Sequence, residues 1–359
     1  MRMRGGLIST LFTFMKGIAE RIGSPSSLPP LSLIDAMMVD TRALTTFPSG
    51  VFALSKILLY LVVVLLIGAL LSPPIYWAVQ GLAEHGWLSG LSEHPFHRYF
   101  SRTTQVTALV LLVPLLLWLG IRHPSEFGLQ RNPHRGRDLG AGLLIALVPL
   151  VILAWIYIAG DTYRFNKSHD FVKLLRILAT AGFVAVVEEF LFRGVLLGLA
   201  ARAIGRWPAL VAVSAVFAFV HFLKPVKESV EVVHWNTGFH HLGAALSSFP
   251  EPQIFAWALA SLFLGGLILG FATLQTRSLW LSIGIHAGWI FGQQGIQWLA
   301  KLRAKPSDAF LPWVGPNTVS GAVPTGLAPL LALLLTAVVV CLYLRYASSS
   351  RRAVESGGR

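Results

Sequence analysis

The chain alternates long apolar runs with short polar breaks, and the runs are of membrane-spanning length. A helix needs about 20 apolar residues to cross a bilayer. Eight runs approach or meet that length: Ile57–Leu71, Thr103–Ile121, Leu139–Ala159, Leu174–Ala201, Trp207–Leu223, Ile254–Leu274, Leu279–Leu299 and Leu327–Leu344. The first, fifth and last are short, and the fifth ends on His221 before Lys224-Pro225. The pattern predicts an all-α fold: a polytopic transmembrane helical bundle of about eight spans. Residues 1–50 read as a partly disordered N-terminal tail with a weakly amphipathic stretch, Leu7–Ile22, and a Ser/Pro linker, Ser24–Pro30. Residues 51–160 read as N-terminal spans and 171–300 as the core. Residues 301–346 supply a loop and the last span, and 347–359 a disordered tail.

Composition agrees with this reading. Hydrophobic residues make up 55% of the chain and charged ones 13%, about half the charged share of a soluble domain. Mean hydropathy is +0.67. The net charge of +13 has the form expected of basic flanks beside spans. No basic stripe with interleaved aromatics is present, so nucleic acid is not an expected partner. The loop Arg122–Asp138, with Arg131, Arg135 and Arg137, is the most basic short loop. Placing it inside puts both termini inside in an eight-span chain. The Lys301–Lys305 loop then lies outside, against the charge rule. The single Cys341 excludes an intrachain disulfide and any Cys-based metal cluster.

Three of the apolar runs carry ionisable groups away from their ends. Val187-Glu188-Glu189-Phe190-Leu191-Phe192-Arg193 holds two carboxylates and a guanidinium. Phe217-Ala218-Phe219-Val220-His221 holds one imidazole, and Ser278-Leu279-Trp280-Leu281-Ser282-Ile283-Gly284-Ile285-His286 another. Such groups are costly in hydrocarbon and face a cavity or a partner. Successive helical residues lie about 100° apart, so the two glutamates cannot share one direction. Glu189 and Arg193 are spaced i,i+4 and suit an ion pair that keeps Glu189 charged. Glu188 has no such partner and suits a general base acting on water. His221 and His286 suit water holding, oxyanion donation or metal ligation. Two hydrolytic arrangements follow: a metal-free one, and one with zinc held by Glu188, His221 and His286 plus water.

Other chemistries are weaker. The loop Lys224–Gln253 holds Glu228, Glu231, His234, His240 and His241 without complete metal-ligand spacing, and reads as a solvated helix and loop. No His-Glu-x-x-His helix and no Gly-x-Ser-x-Gly elbow occurs. Asp161, at a span end, has no Asp partner in another span. A proton-coupled transporter, with Glu188 and His221 as relay, lacks a second acidic span and a visible internal repeat.

The ordered set Glu188-Glu189-x-x-x-Arg193, Phe217-x-x-x-His221 and Ser278-Leu279-Trp280…His286 resembles the CPBP family. That family comprises type 2 CAAX prenyl proteases and bacteriocin-processing or bacteriocin-immunity proteins, including lysostaphin resistance protein A-like members. The resemblance spans roughly 171–300 and includes the Gly-spaced run Leu264–Gly270. It implies an intramembrane endopeptidase with a catalytic cavity inside the bundle. By it, Glu188 activates water, Glu189, Arg193 and Phe217 support, His221 orients water or substrate, and His286 belongs to the oxyanion hole. The implied partners are membrane lipid and a peptide or protein substrate, prenylated or membrane-associated. The implied setting is the plasma membrane of a prokaryote. The family is often grouped with metalloproteases; the metal-free route is the expectation here, with zinc as the alternative.

One position departs from the family pattern. Where Asn or Asp usually stands four residues after the last His, this chain has Ile290. Gln293 and Gln294, about two turns past His286, are the substitutes at hand. A weakened or inactive scaffold or immunity protein of the same fold is therefore the competing expectation.

Overall fold

The computed structural model describes residues 50–121, 129–223, 230–248, 252–303, 318–319, 323–324 and 326–357. The N-terminal stretch expected to be a tail lies outside the described residues, except Gly50, which opens the first helix.

All eight apolar runs fall on helices. The order is α1 (Gly50–Glu84), α2 (Ser89–Ser92), α3 (Phe96–Trp118), α4 (Arg135–Ala159), β1 (Tyr163–Phe165) and α5 (Phe171–Glu189). A π-helical segment, Phe190–Leu196, then joins α5 to α6 (Leu197–Ile204). There follow α7 (Arg206–Val220), α8 (Thr237–Ser247), α9 (Pro252–Thr276), α10 (Trp280–Leu299), β2 (Ala300–Leu302), β3 (Thr318–Val319), β4 (Val323–Pro324) and α11 (Leu327–Gly357). Among the described residues, strands form two two-stranded ribbons, β1 with β2 and β3 with β4, both antiparallel. The fold is an all-α helical bundle.

Among the described residues, five helical stretches are long and apolar enough to cross a membrane: Ser55–Glu84, Phe96–Trp118, Arg135–Ala159, Phe255–Thr276 and Leu327–Ala347. α5 carries four charged residues, Lys173, Arg176, Glu188 and Glu189, α10 carries His286 and three glutamines, and α7 is short. α11 continues through Gly357, where the sequence suggested a tail. After Pro329 no Pro or Gly interrupts it before Gly357, so nothing in the sequence ends the helix earlier.

Two apolar clusters hold the bundle. One joins α1, α3, the π segment, α6, α7 and α9 around Leu112, Val195, Leu197, Leu210 and Phe217. The other joins α4, α9, α10 and α11 around Ala146, Leu269, Leu281, Ile285 and Val340. α4 and α10 meet through glycine. Gly284, Gly288 and Gly292 recur every four residues, on one stripe of α10. A Cβ on Gly288 would stand 2.7 Å from the Ala146 methyl, and one on Gly292 2.6 Å from a Leu150 methyl. Small residues at this spacing let membrane helices approach closely. The turn of the helix carries Ser282 and His286 off that stripe.

Polar contacts fix the helix starts. Asp170 caps α5, accepting from the Val172 and Lys173 amides at 2.9 and 3.2 Å. Before α10, Ser278 accepts from Asn132 at 3.2 Å. Asn132 also donates to buried Asp138 at 2.7 Å, and the Tyr343 hydroxyl donates to Asp138 at 2.5 Å. This network ties α4, α10 and α11 together. Ser278, part of the third sequence motif, thus has a structural task.

The 230–248 region differs from its expected solvated form. α8 is docked: His241, Leu242 and Ala245 are buried, and the His241 ring stacks on Phe96 at 5.1 Å. Its glycine allows this, since a side chain at Gly238 would collide with the α1 backbone at Ala69.

Candidate active site

Glu188 and Glu189 end α5, and the π segment begins at the next residue. Glu189 is fully buried and Arg193 is 2% exposed. The guanidinium donates to Glu189 Oε1 at 2.9 Å. It also lies over the Phe217 ring at 4.1 Å and donates toward the Gly266 carbonyl at 3.5 Å. The i,i+4 pair read from the sequence is formed, although Arg193 sits in the widened π turn.

His286 reaches the same carboxylate from α10. Its Nδ1 lies 2.8 Å from Glu189 Oε1. A charged carboxylate only accepts, so Nδ1 carries the hydrogen toward Glu189. The other ring nitrogen, Nε2, stands 3.8 Å from Glu188 Oε2. His221, just past the end of α7, has the matching arrangement. Its Nδ1 donates to the Phe217 carbonyl at 2.7 Å, which leaves Nε2 facing Glu188 Oε2, also at 3.8 Å. Two imidazoles from separate helices therefore turn the same nitrogen toward one carboxylate oxygen. That oxygen is buried and has no hydrogen-bond partner among the described residues.

Phe217 organises the cluster. Its ring centroid is 4.5 Å from that of His221 and 5.9 Å from that of His286, and it meets Phe192 edge-on at 5.2 Å. All six residues singled out in the sequence, Glu188, Glu189, Arg193, Phe217, His221 and His286, thus come together. The two glutamates divide as helix geometry required: Glu189 into the packed interior, Glu188 into a cavity.

The cavity has a volume of about 290 Å³. Glu188, His221 and His286 line it, with apolar walls from Leu150, Val184, Leu262, Trp289 and Leu333. Ile290, Gln293 and Gln294 also line it, as α10 periodicity implies. Gln105, Thr180, Ser261 and Thr336 are polar wall residues the sequence reading missed. Thr180 and Val184 precede Glu188 at four-residue steps, a signal that was available. Nothing local distinguished Gln105, Ser261 or Thr336.

The zinc reading needs Glu188, His221 and His286 as ligands. A tetrahedral ion with bonds of about 2.1 Å places its ligands about 3.4 Å apart. Both Glu188–imidazole separations are wider, and among the described residues no group of three His, Cys, Asp or Glu is disposed to hold a metal. These separations exceed tetrahedral ligand spacing, and no step below passes through an ion. Asp161, the other acid considered, is largely exposed and pairs with Arg303.

Residues 170–292 match the family described as type II CAAX prenyl endopeptidase, Rce1-like. The likeness to the Rce1-like family is confined to this segment, about a third of the chain. The match covers the whole cluster from Glu188 to His286 and stops short of Gln293 and Gln294. No curated protein and no solved structure matches the chain. The likeness to a membrane-protease family, with five helices among the described residues long and apolar enough to cross a bilayer, supports an integral membrane protein. At the level of the family, the match supports an intramembrane endopeptidase.

Proposed function

We propose that the protein cleaves a peptide bond within or beside the membrane by a glutamate-activated water, without a metal ion. The observation that carries this is Glu188 Oε2, faced at 3.8 Å by Nε2 of both His221 and His286. A water between these three atoms gives a proton to Glu188 while its oxygen attacks the scissile carbonyl carbon. The His221 Nε2 lone pair orients that water. With His286 protonated, Nδ1–H stays on Glu189 and Nε2–H is a donor for the developing oxyanion. In that form Glu188, Glu189, Arg193 and His286 sum to zero charge, which avoids burying a net charge in the bundle. When the C–N bond breaks, Glu188 passes its proton to the leaving amine.

The apolar wall of the cavity favours a substrate carrying a hydrocarbon chain or an apolar segment, such as a prenylated C-terminus. Gln293 and Gln294 are the amide donors placed to supply the contact that Ile290 lacks. One missing oxyanion donor commonly costs about 3 kcal/mol of transition-state stabilisation. Ile290 in the cavity wall is the observation that favours the second reading, a scaffold that retains the fold without cleavage.

The deciding assay uses purified full-length protein in nanodiscs, with prenylated and unprenylated C-terminal peptides, with and without a chelator. Cleavage that survives the chelator and is lost in Glu188→Gln supports the proposal. Loss with chelator and recovery with zinc overturns the metal-free route. Absence of cleavage, with a biological effect that Glu188→Gln leaves intact, selects the scaffold.

A further inference from the structure

A second cavity, of about 360 Å³, lies at the turn between α6 and α7, and its chemistry is different. Arg193, Arg202, Arg206 and Arg277 line it, with Gln130 and Thr273, and among the described residues no Asp or Glu does. Arg193 is committed to Glu189, whereas Arg206 and Arg277 are exposed at the cavity rim. Gly205, at φ 84°, makes the reversal that brings Arg202 and Arg206 to opposite sides of one turn. Arg277 holds a left-handed backbone, φ 50°, which a side chain rarely adopts, and its carbonyl accepts from the Gln130 amide at 2.8 Å. Residues held in such conformations cluster at ligand clamps.

Tryptophans mark this end of the bundle as a membrane boundary. Trp207, beside Arg206, is 61% exposed. Trp118, at the end of α3, is 53% exposed, and the Lys56 ammonium stands over its ring at 4.6 Å. Exposed indoles beside basic groups are the pattern of the headgroup layer. Basic pockets between helices at that depth take lipid headgroups, and the guanidinium fork fits phosphate oxygens.

From this we infer that the arginine cavity is a phosphate-binding site whose ligand is an anionic phospholipid headgroup. The inference stands independently of the peptidase reading. Arg193 belongs both to the cavity wall and to the Glu189 pair, so the bound phosphate sits one side chain from the catalytic cluster.

Full-length protein in neutral detergent is tested by native mass spectrometry against phosphatidylglycerol, phosphatidylcholine and inorganic phosphate, each alone. Phosphatidylglycerol is retained at least roughly ten-fold better than phosphatidylcholine, and Arg206→Gln and Arg277→Gln each weaken it by roughly five-fold. Arg135→Gln, at an exposed basic position outside the cavity, leaves binding unchanged. If inorganic phosphate binds as well and is lost in the same variants, the phosphate site stands and the lipid source is overturned. Equal retention of the two lipids overturns the inference. So does wild-type binding by both cavity variants, each shown folded by its elution volume and Tm.

Discussion

Glu188 and Glu189 are neighbours in sequence and opposites in environment. Glu189 shares one oxygen between Arg193 and His286 and is sealed from solvent, whereas Glu188 opens onto the cavity. Their substitutions therefore separate stability from activity. Glu189→Ala leaves Arg193 buried without its carboxylate, a loss of about 3–5 kcal/mol. We expect a clear fall in Tm of the detergent-purified protein, partly recovered in Glu189→Ala/Arg193→Met, where no charge is stranded. An unchanged Tm in Glu189→Ala would show that the pair is not structural. Glu188→Gln keeps shape at a partly exposed position on the cavity wall, so its Tm stays within experimental scatter of wild type. Its cleavage rate falls by a factor of roughly 10²–10⁴, the share general base catalysis commonly supplies. The i,i+4 spacing made the Glu189–Arg193 pair legible in the sequence. The His286–Glu189 contact was not, because 97 residues separate the partners and only packing brings them together.

At the scale of elements, α10 does two jobs on two faces. Gly284, Gly288 and Gly292 seat it against α4, while His286 and Gln293 line the cavity. A bulky side chain on the first face shifts the second. Gly288→Leu is expected to cost about 1–3 kcal/mol by overpacking against Ala146 and Leu143. It should also reduce cleavage by displacing His286, read as a lower Tm and a lower kcat together. Gly295→Ala is the control. Nothing lies within 4 Å of a Cβ there, so it is neutral or stabilising by up to about 1 kcal/mol through helix propensity. A Gly288→Leu protein with wild-type Tm would mean that α4 and α10 are not held at this distance. The glycine period was visible in the sequence. Which helix it faced was not, since a small stripe names no partner. The π segment was equally hidden: apart from Gly194 nothing in Phe190–Leu196 marks a break, and its wider turn accompanies the burial of Arg193.

At the scale of the whole molecule, exposed apolar side chains along α1, α3, α4, α5 and α11 leave no aqueous surface on which such a bundle would rest. Cys341, the single cysteine, reports on this directly. It lies within α11 with its side chain exposed. In sealed membranes a charged, impermeant maleimide should leave it unlabelled from both sides, and solubilisation should expose it. Labelling from either side of intact membranes would place that turn of α11 outside the hydrocarbon. The span count shows where composition stops being informative. α5 carries four charged residues, Lys173, Arg176, Glu188 and Glu189, and α10 carries His286 and three glutamines, so neither reads as a plain apolar span.

The sequence by itself determined the class of molecule and the cast of the site. Hydrophobic period and length are local properties, so helices, apolar runs and their buried charges could be read directly. Motif spacing within single helices gave Glu189–Arg193 and Phe217–His221. Only the tertiary structure decided which nitrogen of each histidine meets Glu188, that the bundle encloses about 290 Å³ around them, and that a second, arginine-lined cavity lies nearby. Those facts depend on distances between residues far apart in the chain. Such distances are set by how glycine stripes, buried pairs and helix caps settle together, and no local pattern encodes that outcome.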